Sequence, residues 1–114
     1  MADCLFCGIA DGTIKANLIY QDDAVLAFTD IAPKAPVHIL IIPRKHIASV
    51  LDIEAVDSGV IGRIFEVAGR LAREQGIADR GFRLVVNSGR DAGQTVFHLH
   101  YHLLGGRQMT WPPG

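Results

Sequence analysis

Gln94-Thr95-Val96-Phe97-His98-Leu99-His100-Tyr101-His102-Leu103-Leu104 sets an imidazole at every second position from 98 to 102, with Leu99, Tyr101 and Leu103 in between. A period of two is that of a β-strand. His98–Leu104 is therefore read as a strand with three histidines on one face and an apolar, core-facing row on the other. Neighbouring histidines on such a face stand roughly 6.5–7 Å apart along the strand. Three uses are open to them. They can be half-buried packing residues, although imidazole is rarely placed for packing and here recurs in register. They can chelate one metal ion. Or one can attack phosphorus, form a covalent intermediate and leave again, splitting a hard displacement into two easier ones. That chemistry needs a neutral attacking nitrogen, a partner that holds the tautomer, and a neighbour that moves protons near neutral pH.

The segment feeding the run favours an anion. Asn87, Ser88, Gln94 and Thr95 offer uncharged donors and acceptors, and Gly89 and Gly93 allow close backbone approach. Read alone, the same loop is a plain hairpin connection. Further out, Leu18–Tyr20 and Val25–Phe28 read as strands joined at hairpin distance, and Phe82–Val86 as another. Val37–Ile42 is an apolar strand with His38, Leu40 and Ile42 on one face and Val37, Ile39 and Ile41 on the other. A long helix from about Asp57 to Gln75 carries Val60, Ile61, Ile64, Phe65, Ala68, Leu71 and Ala72 as one stripe. Asp57 or Ser58 can cap its start and Gly76 can end it. Residues 4–10 suit a short N-terminal helix bearing Cys4 and Cys7. This order predicts an α+β fold, a mostly antiparallel five-stranded sheet with one long helix and one short helix.

The chain has 114 residues, which fits a single domain spanning 1–114. Hydrophobic residues at 49% suffice for a core without disulfides, and a net charge of −1 gives no electrostatic reason to expect nucleic acid or an anionic membrane as partner. No apolar run reaches the roughly 18–20 residues of a membrane helix. Met1–Cys7 lacks a basic stretch leading into an apolar one, so the expectation is a cytoplasmic protein with reduced cysteines.

The histidine run, together with Phe28-Thr29-Asp30-Ile31-Ala32-Pro33, Ala35-Pro36-Val37-His38, Ile42-Pro43-Arg44-Lys45-His46 and the tail Gly105-Gly106-Arg107-Gln108-Met109-Thr110-Trp111-Pro112-Pro113-Gly114, resembles the histidine triad (HIT) superfamily. Within it the likeness is to the Hint branch of histidine-triad nucleotide-binding proteins. The resemblance covers nearly the whole chain. It implies hydrolysis of purine nucleoside 5′-phosphoramidates, with His100 as nucleophile and a nucleotidyl-histidine that water resolves. It implies that His102 contacts the phosphate and assists proton transfer, and that His38 supports the triad. Thr95 falls where the branch usually carries serine, near the leaving group. Asn87 and Gln94 would hold phosphate oxygens or the leaving group, with Gly93 beside them. Asp30 would meet the ribose, and Ile31, Phe6 and Phe28 would border the base, although core packing explains both phenylalanines equally well.

The same resemblance implies a homodimer with the sheets joined across the interface. Residues 105–114 would then dock at that interface, carrying Trp111 toward the partner's site. Thr110 departs from the histidine often found before this tryptophan. Members with an N-terminal Cys-x-x-Cys bind zinc, which here implies Cys4, Cys7, His46 and His98 as ligands of a structural ion, catalysis needing no cofactor. Against this stands the plain reading of two free thiols and an unrelated His46, since Cys-x-x-Cys alone predicts a metal loosely. Zinc would divide the triad, leaving His98 to structure and His100 and His102 to chemistry. Two other functions remain open: a dinucleoside polyphosphate hydrolase, and a nucleotide-binding interaction module with little catalysis. A pure metalloprotein is a further reading of the histidines.

Overall fold

A computed structural model describes residues 4–114, leaving Met1–Asp3 outside. The elements run α1 (Leu5–Asp11), β1 (Leu18–Gln21), β2 (Val25–Thr29), β3 (Val37–Pro43), α2 (Ser58–Glu74), β4 (Phe82–Val86) and β5 (Tyr101–Gly105). Two 3-10 turns, Val50–Asp52 and Ala55–Asp57, lead into α2. The five strands form one antiparallel sheet in the order β1-β2-β3-β5-β4. The α+β architecture expected from the strand and helix periodicities is the one observed.

Both faces of the central strands are covered, and the alternation along β3 sorts its side chains between them. Ile39 and Ile41 join Ala27, Tyr101 and Leu103 beneath α2, whose Ile64, Val67, Ala68, Leu71 and Ala72 complete that core. Leu40 and Ile42 face the other way, into a smaller cluster with Leu26, Phe28, Phe6 and Ile9 under α1. The helix stripe differs from expectation at one position. Phe65 is 54% exposed and meets the core only edge-on, its ring centroid 5.6 Å from that of Tyr101. Val67 is buried in the stripe instead.

Side chains fix the joints. The Asp22 carboxylate accepts the N–H groups of Ala24 and Val25 (both 2.8 Å), closing the β1–β2 turn, and also bonds Arg63 of α2. Burial opposes its charge, but these donors and Tyr20 outweigh burial and hold the carboxyl well below the usual range. Asp57 sits at the start of α2 as expected, yet its carboxylate does not cap the helix. It accepts from Lys45 Nζ (2.6 Å) and the Glu54 N–H (2.9 Å), tying the connection after β3 to the helix start. Gly76 ends the helix in the left-handed region at φ 74°, where a side chain would be strained. At Gly105 a Cβ would come within 2.5 Å of Ile77, so only glycine lets the chain after α2 lie against the end of β5.

The histidine strand is shorter than its periodicity suggests. β5 begins at Tyr101, leaving His98 and His100 outside the ladder. The last β3–β5 pair is Ile41 with Tyr101. Beyond it β3 runs out at Pro43, which has no N–H for the ladder. The segment bonds elsewhere instead, Leu99 N–H donating to the Ile47 carbonyl at 2.6 Å. Among the described residues, no helix is long and apolar enough to cross a membrane.

Leu71 is fully buried between α2 and the sheet, whereas Phe65 is half exposed on the same helix. Leu71→Ala is therefore expected to lower the unfolding free energy by about 2–5 kcal/mol, and Phe65→Ala by well under half of that. Urea denaturation of both variants checks this contrast.

Candidate active site

His98 and His100 each have one ring nitrogen assigned by a backbone carbonyl, which can only accept, and His102 takes its assignment through His38. His98 Nε2–H donates to the Pro43 carbonyl (2.8 Å), leaving Nδ1 as the lone-pair nitrogen. His100 Nδ1–H donates to the His98 carbonyl (2.7 Å), leaving Nε2 unprotonated. His38 on β3 lies diagonally across from His102 on β5. The Lys34 N–H donates to His38 Nδ1 (3.0 Å), so Nε2 carries the His38 proton and donates to His102 Nδ1 (2.9 Å). That leaves the proton of neutral His102 on Nε2. Asp30 stands 3.4 Å from His38 Nε2, its other oxygen held by the Ala32 N–H (2.8 Å). Tautomers thus pass from backbone to His38 to His102, while His100 is set independently.

Burial keeps His102 and His38 uncharged. His102 is pushed down from 6.5 to about 4, first by burial and then by His100 and His38. Burial also lowers His38, against the pull of Asp30. Phe6 braces the site from α1, its ring perpendicular to that of His100 at 5.1 Å and edge-on to Phe28 at 5.4 Å. Both phenylalanines are core residues and line the cavity as well.

A cavity of about 560 Å³ opens on His100 and His102. Phe6, Phe28, Asp30, Ile31 and Thr95, to which the resemblance gives substrate or leaving-group roles, line it. Leu5, Ile9, Ile14, Lys15, Asn17 and Leu40 line it too and were not singled out from sequence. Leu40 was open to discovery, because it shares a strand face with His38. The others come from α1 and the connection after it, whose position nothing in the local sequence reveals. Ile31 is fully exposed at the rim. Asn87 lines an adjoining cavity of about 340 Å³ with Asp30, Lys34, His38 and His102. Gln94, expected at a phosphate, is buried with its amide closed on the chain. Its Nε2 donates to the carbonyls of Ala48 (2.7 Å) and Val96 (3.1 Å), and its Oε1 accepts the Gly89 N–H (2.9 Å). Gly93 shapes the same turn at φ 90° and does not line the cavity. Trp111 is 82% exposed and likewise stands away from it.

On the other side of His98, Cys4, Cys7, His46 and His98 converge, one ligand atom from each lying within 4.8 Å of the others. Cys4 Sγ is 3.4 Å from His98 Nδ1, and Cys7 Sγ is 3.3 Å from His46 Nδ1 and 3.5 Å from His98 Nδ1. Sulfur and nitrogen ligands at opposite corners of a zinc tetrahedron stand about 3.5 Å apart, given their usual bond lengths. The spacing and the donor set fit such an ion, and the Pro43 carbonyl supplies the orienting bond on the far nitrogen of His98. Burial and the neighbouring Cys4 push the Cys7 thiol up. A bound cation would reverse that preference.

The HIT domain matches residues 11–109. The chain belongs to the HIT family. A HIT family hydrolase of Legionella pneumophila is 52% identical and superposes with a TM-score of 0.96, the match covering 98% of this chain and all of that one. A histidine triad nucleotide-binding protein of Candida albicans is 30% identical with a TM-score of 0.82, over 96% of this chain and 83% of that one. A zinc-bound histidine triad family protein of Mycobacterium smegmatis is 32% identical with a TM-score of 0.80, over 94% and 77%. In this HIT protein the second and third triad histidines face the cavity while the first faces the cysteines.

The lowered His102 and His38 fix the sign of an acid effect. Below about pH 6.5 the unfolded chain takes up protons that these buried imidazoles refuse, so stability falls as pH drops from about 6.5 toward 4. Urea midpoints measured across that range should decline for the wild type and decline less steeply for His102→Asn.

Proposed function

We propose that this HIT protein is a nucleotide hydrolase acting on purine nucleoside 5′-phosphoramidates through a nucleotidyl-histidine on His100. The observation that carries the reading is the His98 carbonyl on His100 Nδ1, which leaves Nε2 as a lone-pair nitrogen beside the cavity. In the first step Nε2 attacks the α-phosphorus and the P–N bond breaks, its electron pair leaving with the amine nitrogen. An anionic phosphate beside His102 raises the affinity of that imidazole for a proton; taking one up on Nδ1 gives up the bond from His38, and the Nε2 proton passes to the departing amine. In the second step water attacks the phosphorus while His102 Nε2 takes its proton, the His100 Nε2–P bond breaks with its electron pair returning to Nε2, and a nucleoside monophosphate is released. Thr95 offers a hydroxyl near the leaving group, and Asn87 a polar edge in the adjoining cavity. His38 holds His102 in the tautomer that presents Nε2–H. Asp30 suits ribose hydroxyls, and Phe6, Phe28 and Ile31 an aromatic base. Gln94 and Gly93 serve through the shape of the loop. The hydrolase and nucleotide-binding names of the Legionella and Candida proteins support the same class of activity.

Zinc is the ion that best suits the Cys4, Cys7, His46 and His98 group, and the zinc-bound mycobacterial relative supports the assignment. Bound there, zinc would supply a closed, four-ligand structural tie between α1 and the chain after β3, with no open position for catalysis. A homodimer joined along the β4 edge, with residues 105–114 docked across it, accords with the open edge of β4, the exposure of Phe82 and the exposure of Trp111.

Two experiments separate these assignments. Brief exposure to an adenosine phosphoramidate should add the mass of one nucleoside monophosphate at His100, and His100→Ala should lose at least about a thousandfold in kcat. Full turnover by that variant, or faster cleavage of diadenosine polyphosphate by the wild type, overturns the reading. Metal analysis should find about one zinc per chain in the wild type and in His100→Ala, and none in Cys4→Ser, whose thermal midpoint falls by several degrees.

A further inference from the structure

His100, His102, Thr95 and Asp30 line the main cavity together with Lys15 and Asn17. His102 on β5 pairs with Leu40 on β3, Leu40 with Phe28 on β2, and Phe28 with Leu18 on β1. Lys15 and Asn17 belong to the connection leading into β1, three strands across the sheet from His102. This connection is held in place at several points. Ile14 N–H donates to the Gly8 carbonyl (3.0 Å), tying it to α1. Leu18 N–H donates to the Ala16 carbonyl (3.0 Å), and Thr29 N–H to the Asn17 carbonyl (3.2 Å), tying it to β2. Asn17 Nδ2 donates to the Thr29 hydroxyl (3.3 Å), an arrangement in which Oδ1 is left as an acceptor. Lys15 is the cation among the described residues that line this cavity, and the surrounding walls, Leu5, Ile9, Ile14 and Phe28, are apolar.

Apolar walls grip either purine by its faces and do not tell one from the other. The edge does. Guanine presents the O6 acceptor beside the N1–H and N2 amino donors, whereas adenine presents the N6 amino donor beside the N1 acceptor. An ammonium group can only donate. It complements O6 and meets a like-polarity donor at N6, while an amide oxygen complements guanine N1–H and N2–H.

Building on the phosphoramidase reading above, we propose that Lys15 is a base-selecting residue that makes the cavity prefer guanine nucleotides, its ammonium donating to O6, with Asn17 Oδ1 as the companion acceptor. Lys15 takes no part in the reaction at phosphorus, so the preference belongs to binding and appears in KM with kcat little changed.

The test pairs turnover with binding. Guanosine and adenosine 5′-phosphoramidates of one amine are compared by kcat/KM, and GMP, IMP and AMP are titrated by calorimetry. One exposed hydrogen bond predicts a guanosine advantage of about fivefold, carried by KM. Lys15→Met should bring the two bases within about twofold of each other and Lys15→Arg should keep the advantage, because arginine also donates to O6. IMP retains O6 and N1–H without the N2 amine, so it should bind closer to GMP than to AMP. Equal handling of the two bases by the wild type, or an advantage that survives Lys15→Met, overturns the assignment. IMP binding as weakly as AMP overturns the O6 contact. If GMP outbinds AMP while neither phosphoramidate is cleaved, the base preference stands and the proposed activity falls.

Discussion

Pro43 has no N–H to offer the strand beside it, and its carbonyl still needs a partner. Both facts act at the same spot. The missing donor stops the β3–β5 ladder at Ile41 and Tyr101, so the chain at 98–100 runs free of the sheet. The carbonyl takes the His98 Nε2–H, which turns Nδ1 toward Cys4 and Cys7. With His98 held, its own carbonyl stands where it accepts from His100 Nδ1. One proline thus orients the His98 nitrogen that meets the cysteines and, one residue pair further on, fixes the tautomer of His100 at the cavity.

A second constraint is the exclusion of charge. His38 and His102 lie close enough to share a hydrogen bond, and protonating both would set two cations together in a poorly hydrated place. Burial resolves this by keeping the pair neutral, so its single shared proton has a defined direction from His38 to His102. The geometry holds because the first donor in the series, the Lys34 N–H, is a backbone group that cannot reverse its role. Pairing across β3 and β5 does the rest, since antiparallel register brings His38 and His102 to diagonal positions on one face.

The sheet also separates stability from the site. The larger core lies under α2, on the face opposite the imidazoles, and contains the row Leu99, Tyr101 and Leu103. The site face has the smaller cluster under α1, and there the same side chains serve both ends. Phe6 packs on Phe28 and on His100 at once. A seven-residue helix has little stability of its own, so the fixed position of Phe6 depends on tertiary contacts, including those of the Cys4 and Cys7 thiols with His98 and His46.

Much of this protein was legible without coordinates because alternation and helical spacing are local properties. The period of two along Val37–Ile42 divided its side chains between two faces correctly, and the stripe of α2 located the main core apart from Phe65. The residue types at 98, 100 and 102 restricted the chemistry to what imidazole can do. Cys4 and Cys7 could be matched with His46 and His98 only through likeness to other proteins, since no spacing rule spans 94 residues. Tertiary structure alone decided which nitrogen of each ring is available, because a tautomer is set by the atom facing it. It decided that Gln94 closes its amide on Gly89, Val96 and Ala48, the last of which lies far from it in the sequence, in the connection after β3. It also brought Lys15 and Asn17 to the cavity. Sequence determines what a side chain can offer, and only packing determines what stands opposite it.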